Sequence, residues 1–231
     1  MKKIGLILAV LICCAGVLVA QQPSQLVMSA YRNFMRVKDY SADIQLDFDI
    51  PSVRINSIKG KVFFKQPDKF RIRTSGIIFL PKQNPYYALA FLGDSTGYTA
   101  VASGTEKIGT TTCSVVTVLP TKDGDVILGK FWIDPVRALV LRTQLTTRSN
   151  GLIQMDNTYS AQLAYPLPQK IVFTVDMTKF KVPKAISVDI NSRTTAGSYN
   201  QKGTGYITLT MDGYKINQKL PDSVFTDQST N

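Results

Sequence analysis

Three aspartates, Asp43, Asp47 and Asp49, share one face of a strand-like run and are the first candidates for chemistry, as cation ligands. Positions two apart on a strand lie ~6.6 Å apart, and no neighbouring motif supplies a group to converge on them, so a solvated strand face is the better account of them. Gly104-Thr105-Glu106-Lys107-Ile108-Gly109 has the glycine spacing of a phosphate loop, but Thr110 follows where such loops place a lysine. The chain contains no histidine, which removes the usual general base and the commonest metal ligand. No S-x-x-K nucleophile pair occurs either. We therefore expect no enzyme, no metal and no cofactor.

The elements that would position a site begin after an export signal. Lys2 and Lys3 precede an uncharged apolar run from Ile4 to Ala20, the order of parts in a secretory signal peptide. The run is short for a membrane span of ~20 residues. Cys13 and Cys14 open a lipoprotein reading, but Ile12 and Cys13, which precede them, are not the small residues that acylation prefers. The expectation is cleavage after Ala20, leaving residues 21–231 as a single domain with Gln21 first. Removing the two signal lysines from the full chain's +11 leaves +9. The basic residues are scattered, as on a solvated surface, and no nucleic-acid module is recognised, so no nucleic-acid partner is expected. Cys113 becomes the one mature cysteine; it excludes an intrachain disulfide and a thiolate zinc site. It reads as a small core residue in the apolar stretch Thr112–Leu119.

Within the mature chain, Leu26, Ala30, Phe34 and Val37 recur at helical spacing, with Val27 and Tyr31 beside them, and predict a helix over Pro23–Lys38. The period then switches. Ala42, Ile44, Leu46, Phe48 and Ile50 alternate with polar residues, the clearest strand in the sequence. Strand-like runs follow at Lys59–Lys65, Lys69–Thr74, Gly97–Ala102, Thr112–Leu119, Asp125–Ile133 and Arg137–Thr147. Four more lie at Leu152–Tyr159, Lys170–Met177, Ala185–Asn191 and Gly205–Met211. Turn signals such as Asp123-Gly124 and Asn150-Gly151 make sequential strands antiparallel neighbours. The expected fold is mainly β (α+β): a strongly curved antiparallel sheet, or incomplete barrel, of about ten strands around the N-terminal helix.

Gly76 to Leu92 breaks the pattern, being apolar and aromatic with two prolines and no period of two. It reads as a covering loop or as a hydrophobic lid over a ligand cavity. The candidate cavity and lid residues are Leu46, Phe48, Ile50, Phe63, Ile78, Phe79, Tyr86, Phe91 and Trp132.

Several stretches together carry a resemblance. Asp39-Tyr40-Ser41-Ala42-Asp43-Ile44 opens a strand after the helix, and Gly60-Lys61-Val62-Phe63-Phe64-Lys65-Gln66-Pro67-Asp68-Lys69-Phe70-Arg71 follows. Later come Gly129-Lys130-Phe131-Trp132-Ile133-Asp134-Pro135-Val136, Leu139-Val140-Leu141-Arg142, and the ending Leu220-Pro221-Asp222-Ser223-Val224-Phe225. This pattern resembles the LolA-like family of outer-membrane lipoprotein carriers. The resemblance implies an incomplete barrel closed by helices, whose hydrophobic cavity holds lipid acyl chains or lipoproteins in the periplasm. It also implies inner- and outer-membrane transport components as partners, and a monomer. Relatives of the same fold include envelope sensors, which leaves a sensing role as the alternative to carriage. Where the family places a lid-holding arginine before the proline, this chain has Gln66. A glutamine can still bond a carbonyl but lacks the charged five-donor fork.

Overall fold

The computed structural model describes residues 22–51, 55–74, 92–148, 151–161, 164–176 and 203–226. The expected signal peptide, the expected strand Ala185–Asn191, and Ile78, Phe79, Tyr86 and Phe91 lie outside the described residues.

Helix α1 spans Pro23–Phe34, with Pro23 in its first turn, where a missing N–H costs nothing. Leu26, Val27, Ala30 and Phe34 are buried, the stripe its periodicity predicts. The helix stops four residues before Lys38 because its last groups are claimed from outside. The Lys38 N–H donates to Asn217 Oδ1 at 2.7 Å, and Gln66 Nε2 donates to the carbonyls of Met35 and Val37.

Ten strands follow: β1 Asp39–Asp49, β2 Ile58–Lys65, β3 Lys69–Thr74, β4 Tyr98–Ile108, β5 Thr111–Pro120, β6 Val126–Asp134, β7 Leu139–Thr147, β8 Gly151–Tyr159, β9 Pro168–Asp176 and β10 Thr204–Ile216. A short 3₁₀ turn, Asp222–Val224, comes last. The strands form one antiparallel sheet in the order β3-β2-β1-β10-β9-β8-β7-β6-β5-β4. Among the described residues its first and last members do not pair, so the sheet is open, with β3 and β4 as its edges. β1 and β10, the most distant pair in sequence, lie side by side with Leu46 opposite Leu209 and Phe48 opposite Ile207.

Strand ends differ from the sequence expectation where backbone conformation is unusual. β10 runs on to Ile216 because Gly213, at φ +58°, absorbs a bulge; the Asp212-Gly213 pair otherwise has the composition of a turn. β4 continues past Ala102 through a bulge at residues 102–105, where Gly104 has φ +94°. β7 starts two residues after Arg137. The buried Asp134 carboxylate accepts the N–H groups of Val136 (2.8 Å) and Arg137 (3.1 Å), and Ala138 turns the chain at φ +51°.

Alternation divides the sheet into two faces. The inner face carries Ile44, Leu46, Val62, Phe64, Val116, Phe131, Leu145, Met155, Phe173, Ile207 and Leu209 in one core with α1. The outer face carries polar side chains and a separate small cluster of Cys113, Val115, Trp132 and Leu141.

Candidate functional site

The inner face is the candidate site, and β1 is the third strand in from its β3 edge. Leu46 is completely buried, Ile50 is buried, and half-buried Phe48 packs against the same core. These three share a face because they are two residues apart, and β10 extends the wall with Ile207, Leu209 and Met211. On β2, Gly60 lets the β3 backbone approach closely: a Cβ there would lie 2.3 Å from the Arg73 carbonyl oxygen.

Helix α1 packs on β4, β6 and β7. Its end reaches β2 through Phe34 and Phe64, with ring centroids 5.6 Å apart. Tyr40 continues the aromatic contacts to Phe64 (5.5 Å) and Tyr214 (5.4 Å), sealing the rim where α1 enters β1. Two amides tie the helix down. Gln66 holds the carbonyls of Met35 (3.1 Å) and Val37 (2.7 Å), and Asn33 Nδ2 donates to the carbonyls of Arg137 (3.1 Å) and Ala138 (3.3 Å). Gln66 is thus a clamp on the end of α1. A helix of 12 residues is ~18 Å long. Ten strands spaced ~4.8 Å apart make a sheet more than 40 Å wide along its curve. The helix therefore covers only part of the apolar face.

Two candidates face elsewhere. Phe63 pairs with Arg71 on the outer side of β2, half-buried beneath the Arg73 guanidinium at 5.3 Å. Its neighbours Val62 and Phe64 take the inner positions. Trp132 is buried, but in the outer cluster, and its indole N–H donates to Glu106 Oε2 at 2.7 Å. Both sit in apolar runs with aromatics on successive residues, where period two cannot say which of them points inward.

The inner wall offers little for chemistry. Among the described residues no cluster of histidine, cysteine, aspartate and glutamate could hold a metal. Burial pushes the Tyr98 phenol up, with Asp94 adding to the shift, so it stays a neutral donor to the Leu92 carbonyl at 3.1 Å. Asp43 and Asp47 lie on the outer side of β1, where Asp43 pairs with Lys61 and Asp47 accepts from Gln45 at 3.0 Å and from Ser57. The 104–109 glycine pair belongs to β4 and its following turn rather than to a strand-to-helix loop.

One spacing escapes the sequence reading. Gly93-Asp94-Ser95-Thr96-Gly97 matches the G-x-S-x-G of a nucleophile elbow. The segment is a turn leading into β4, not a strand-to-helix turn, and Asp94 is engaged with Thr96 at 2.7 Å. Ser95 is exposed, and the chain has no histidine to activate it.

Burial also pushes the Cys113 thiol up, with Asp134 reinforcing the shift. At Asp134 burial acts to raise the pKa, yet the Arg137 side chain and two backbone N–H groups outweigh it and hold the carboxyl below its ordinary value.

No family model matches the sequence, and no curated protein matches it. Solved structures do. A putative outer membrane lipoprotein-sorting protein domain from Vibrio parahaemolyticus superposes with a TM-score of 0.60 at 10% identity, covering 90% of this chain and 97% of that one. A LolA superfamily protein from Nitrosomonas europaea gives 0.57 at 10% identity, with 90% and 99% covered. A DUF1329 family protein from Desulfovibrio piger gives 0.53 at 11%, with 87% and 97% covered. At such identities the likeness speaks for architecture alone. On that architecture, an open ten-stranded antiparallel sheet with one N-terminal helix against its inner face, the chain has a LolA-like fold.

Proposed function

We propose that this protein is a non-enzymatic periplasmic carrier, exported by its N-terminal signal and released after Ala20. It binds lipid acyl chains, or those of a lipoprotein, against the inner face and ferries them toward the outer membrane. The observation that carries this reading is the mismatch, among the described residues, between a continuous apolar face across ten strands and the one 12-residue helix packed on it. Burying about a dozen methylenes contributes roughly 10 kcal/mol before the costs of association. A dry wall therefore suffices without a dedicated polar residue. Leu46, Phe48 and Ile50 form the cavity wall in this reading, with the apolar segment 76–92 as its lid. The protein acts as a monomer and meets membrane transport components at each end of its route.

Phe48→Trp tests the cavity, at the half-buried position of this wall. Uptake of a fluorescent fatty acid should fall while the thermal midpoint holds, because the added ring occupies space meant for ligand. In a barrel filled by its own side chains the same change overpacks the core and costs about 1–3 kcal/mol, and the unmodified protein takes up nothing. Intact mass of the exported protein checks processing, and Gln21 as first residue is the expected result.

A further inference from the structure

The sheet ends in two edge strands that are finished differently. β3 reads Lys69-Phe70-Arg71-Ile72-Arg73-Thr74, with a cation at every second position from 69 to 73. Charged side chains of this kind keep an edge strand from pairing with another chain. The chain's own ending also lies against β3. Lys69 pairs with Asp222 Oδ2 at 2.8 Å, Arg71 donates to the Thr226 carbonyl at 2.6 Å, and Arg73 donates to the Val224 carbonyl at 3.0 Å. β4 has neither guard. Thr99-Ala100-Val101-Ala102-Ser103-Gly104-Thr105 holds no charge and no proline, and every residue from Val101 to Lys107 is exposed. Among the described residues the β4 main chain pairs with β5 alone. Its one protective device is the bulge at residues 102–105, which bends the strand and confines the regular edge to Thr99–Ala102.

The side chains at this edge add a second observation. Tyr98 and Ala100 pack on the inner core, so Thr99 and Val101 point outward. Val101 is 47% exposed, and Leu119, opposite Thr99 on β5, is 42% exposed. Farther from the edge, Leu128 and Leu152 both lie opposite Thr146 on the same face. Val101, Leu119, Ile127 and Leu152 are four of the six exposed large apolar side chains among the described residues. An apolar strip on a soluble surface marks a place where something docks, and this one runs into the unguarded edge at Val101.

We propose that the edge of β4 at Thr99–Ala102 accepts an extended segment of a partner protein as an added strand, apolar beside Val101 and neutral or acidic in charge. A polypeptide is the occupant because an extended main chain offers donors and acceptors at the ~3.3 Å repeat of the β4 row. Its outward side chains lengthen the apolar strip by one strand. The chain's net charge of +11 opposes a second copy of itself and favours a segment without cations. The site lies at the sheet's edge and does not depend on what the inner face carries.

The test uses the full mature chain and a fluorescein-labelled peptide, Glu-Thr-Val-Thr-Val-Thr-Val-Glu, with binding read by anisotropy and its place by hydrogen exchange. The peptide should bind and slow amide exchange over Thr99–Ala102 while leaving β3 unchanged. Val101→Lys puts a cation on the edge and should weaken binding roughly tenfold. Thr99→Lys should act in the same direction and serves if the first variant fails to fold. The same peptide N-methylated at every residue keeps its side chains but cannot donate to β4, and should also bind roughly tenfold more weakly. Leu152→Gln, on the strip but four strands from the edge, should leave binding unchanged. No peptide binding, binding indifferent to both lysine substitutions, or equal binding of the N-methylated peptide would each overturn the proposal. A loss with Leu152→Gln equal to that with Val101→Lys would overturn it by placing the occupant across the strip rather than along the edge. A dimer in sedimentation velocity that Val101→Lys abolishes would overturn it by assigning the edge to a second copy. Sedimentation with phosphatidylglycerol vesicles that Leu152→Gln abolishes, without peptide binding, would overturn it by assigning the strip to a lipid surface.

Discussion

Across β5, β6 and β7 the two faces of the sheet are both apolar, yet they are built differently. Toward the helix, Val116, Val118, Phe131 and Leu145 join a core that continues through every other strand to β2. On the far side, Cys113, Val115, Trp132 and Leu141 form an island that seals itself. The Trp132 ring lies beneath the Lys130 ammonium at 4.7 Å and the Arg142 guanidinium at 5.7 Å, and its N–H is satisfied by Glu106. Arg142 is in turn held by Asp156 at 2.5 Å. The island is finished by polar side chains from neighbouring strands. Among the described residues the inner face has no such rim of charge, and α1 covers only part of it. An apolar surface that long side chains can close is a local packing solution. One that the described side chains do not close must be covered by something else, another segment of the chain included.

The largest test of this contrast is Phe173→Ala. Phe173 is fully buried on the inner face, so its loss should cost about 3–5 kcal/mol in urea unfolding followed by circular dichroism. A much smaller cost would mean that the inner core is loosely packed around β9.

Asp134→Asn comes next, acting where the β6–β7 turn meets the helix. Removing the carboxylate that gathers Arg137 and two backbone N–H groups should cost about 1–3 kcal/mol at neutral pH. The pH dependence has a defined sign. The folded-state pKa is depressed below 3.8, so the contribution is complete above that value and fades as pH falls through it. The stability gap between the two proteins should therefore narrow below about pH 4 and stay constant from there to neutrality. A gap that instead widened in acid would contradict the assignment.

Trp132→Phe probes the outer island with a smaller change, the loss of one hydrogen bond and part of a cation-covered ring, worth about 1 kcal/mol. Trp132 is the chain's only tryptophan and is 2% exposed, so its native emission should be blue-shifted and resist acrylamide quenching. Strong quenching in the folded protein would show that the island is open to water. Cys113 gives the gentlest test, because no residue is changed. Buried, with its thiol pushed toward the protonated form, it should react slowly with a thiol reagent until the protein is denatured.

Much of this arrangement is legible in the order of residues alone. The helix stripe from Leu26 to Phe34 and the alternation from Ala42 to Ile50 are local periodicities, imposed by backbone geometry on any chain that must bury one side of an element. Turn-prone pairs such as Asn150-Gly151 mark the reversals, since Gly151 adopts φ +69°, a conformation few other residues accept. The antiparallel order of the described strands and the inward positions Leu46 and Ile50 follow from these. The tertiary structure alone decides three further things. It pairs β1 with β10, because contacts between residues 46 and 209 leave no local trace. It sends Phe63 and Trp132 outward, because in runs where both faces are apolar the face is chosen by neighbouring strands: Arg73 above Phe63, and Glu106, Lys130 and Arg142 around Trp132. It also brings the ending Leu220–Phe225 onto the cations of β2 and β3, since charge recorded in sequence says nothing about which distant oxygens it will meet once the chain has folded.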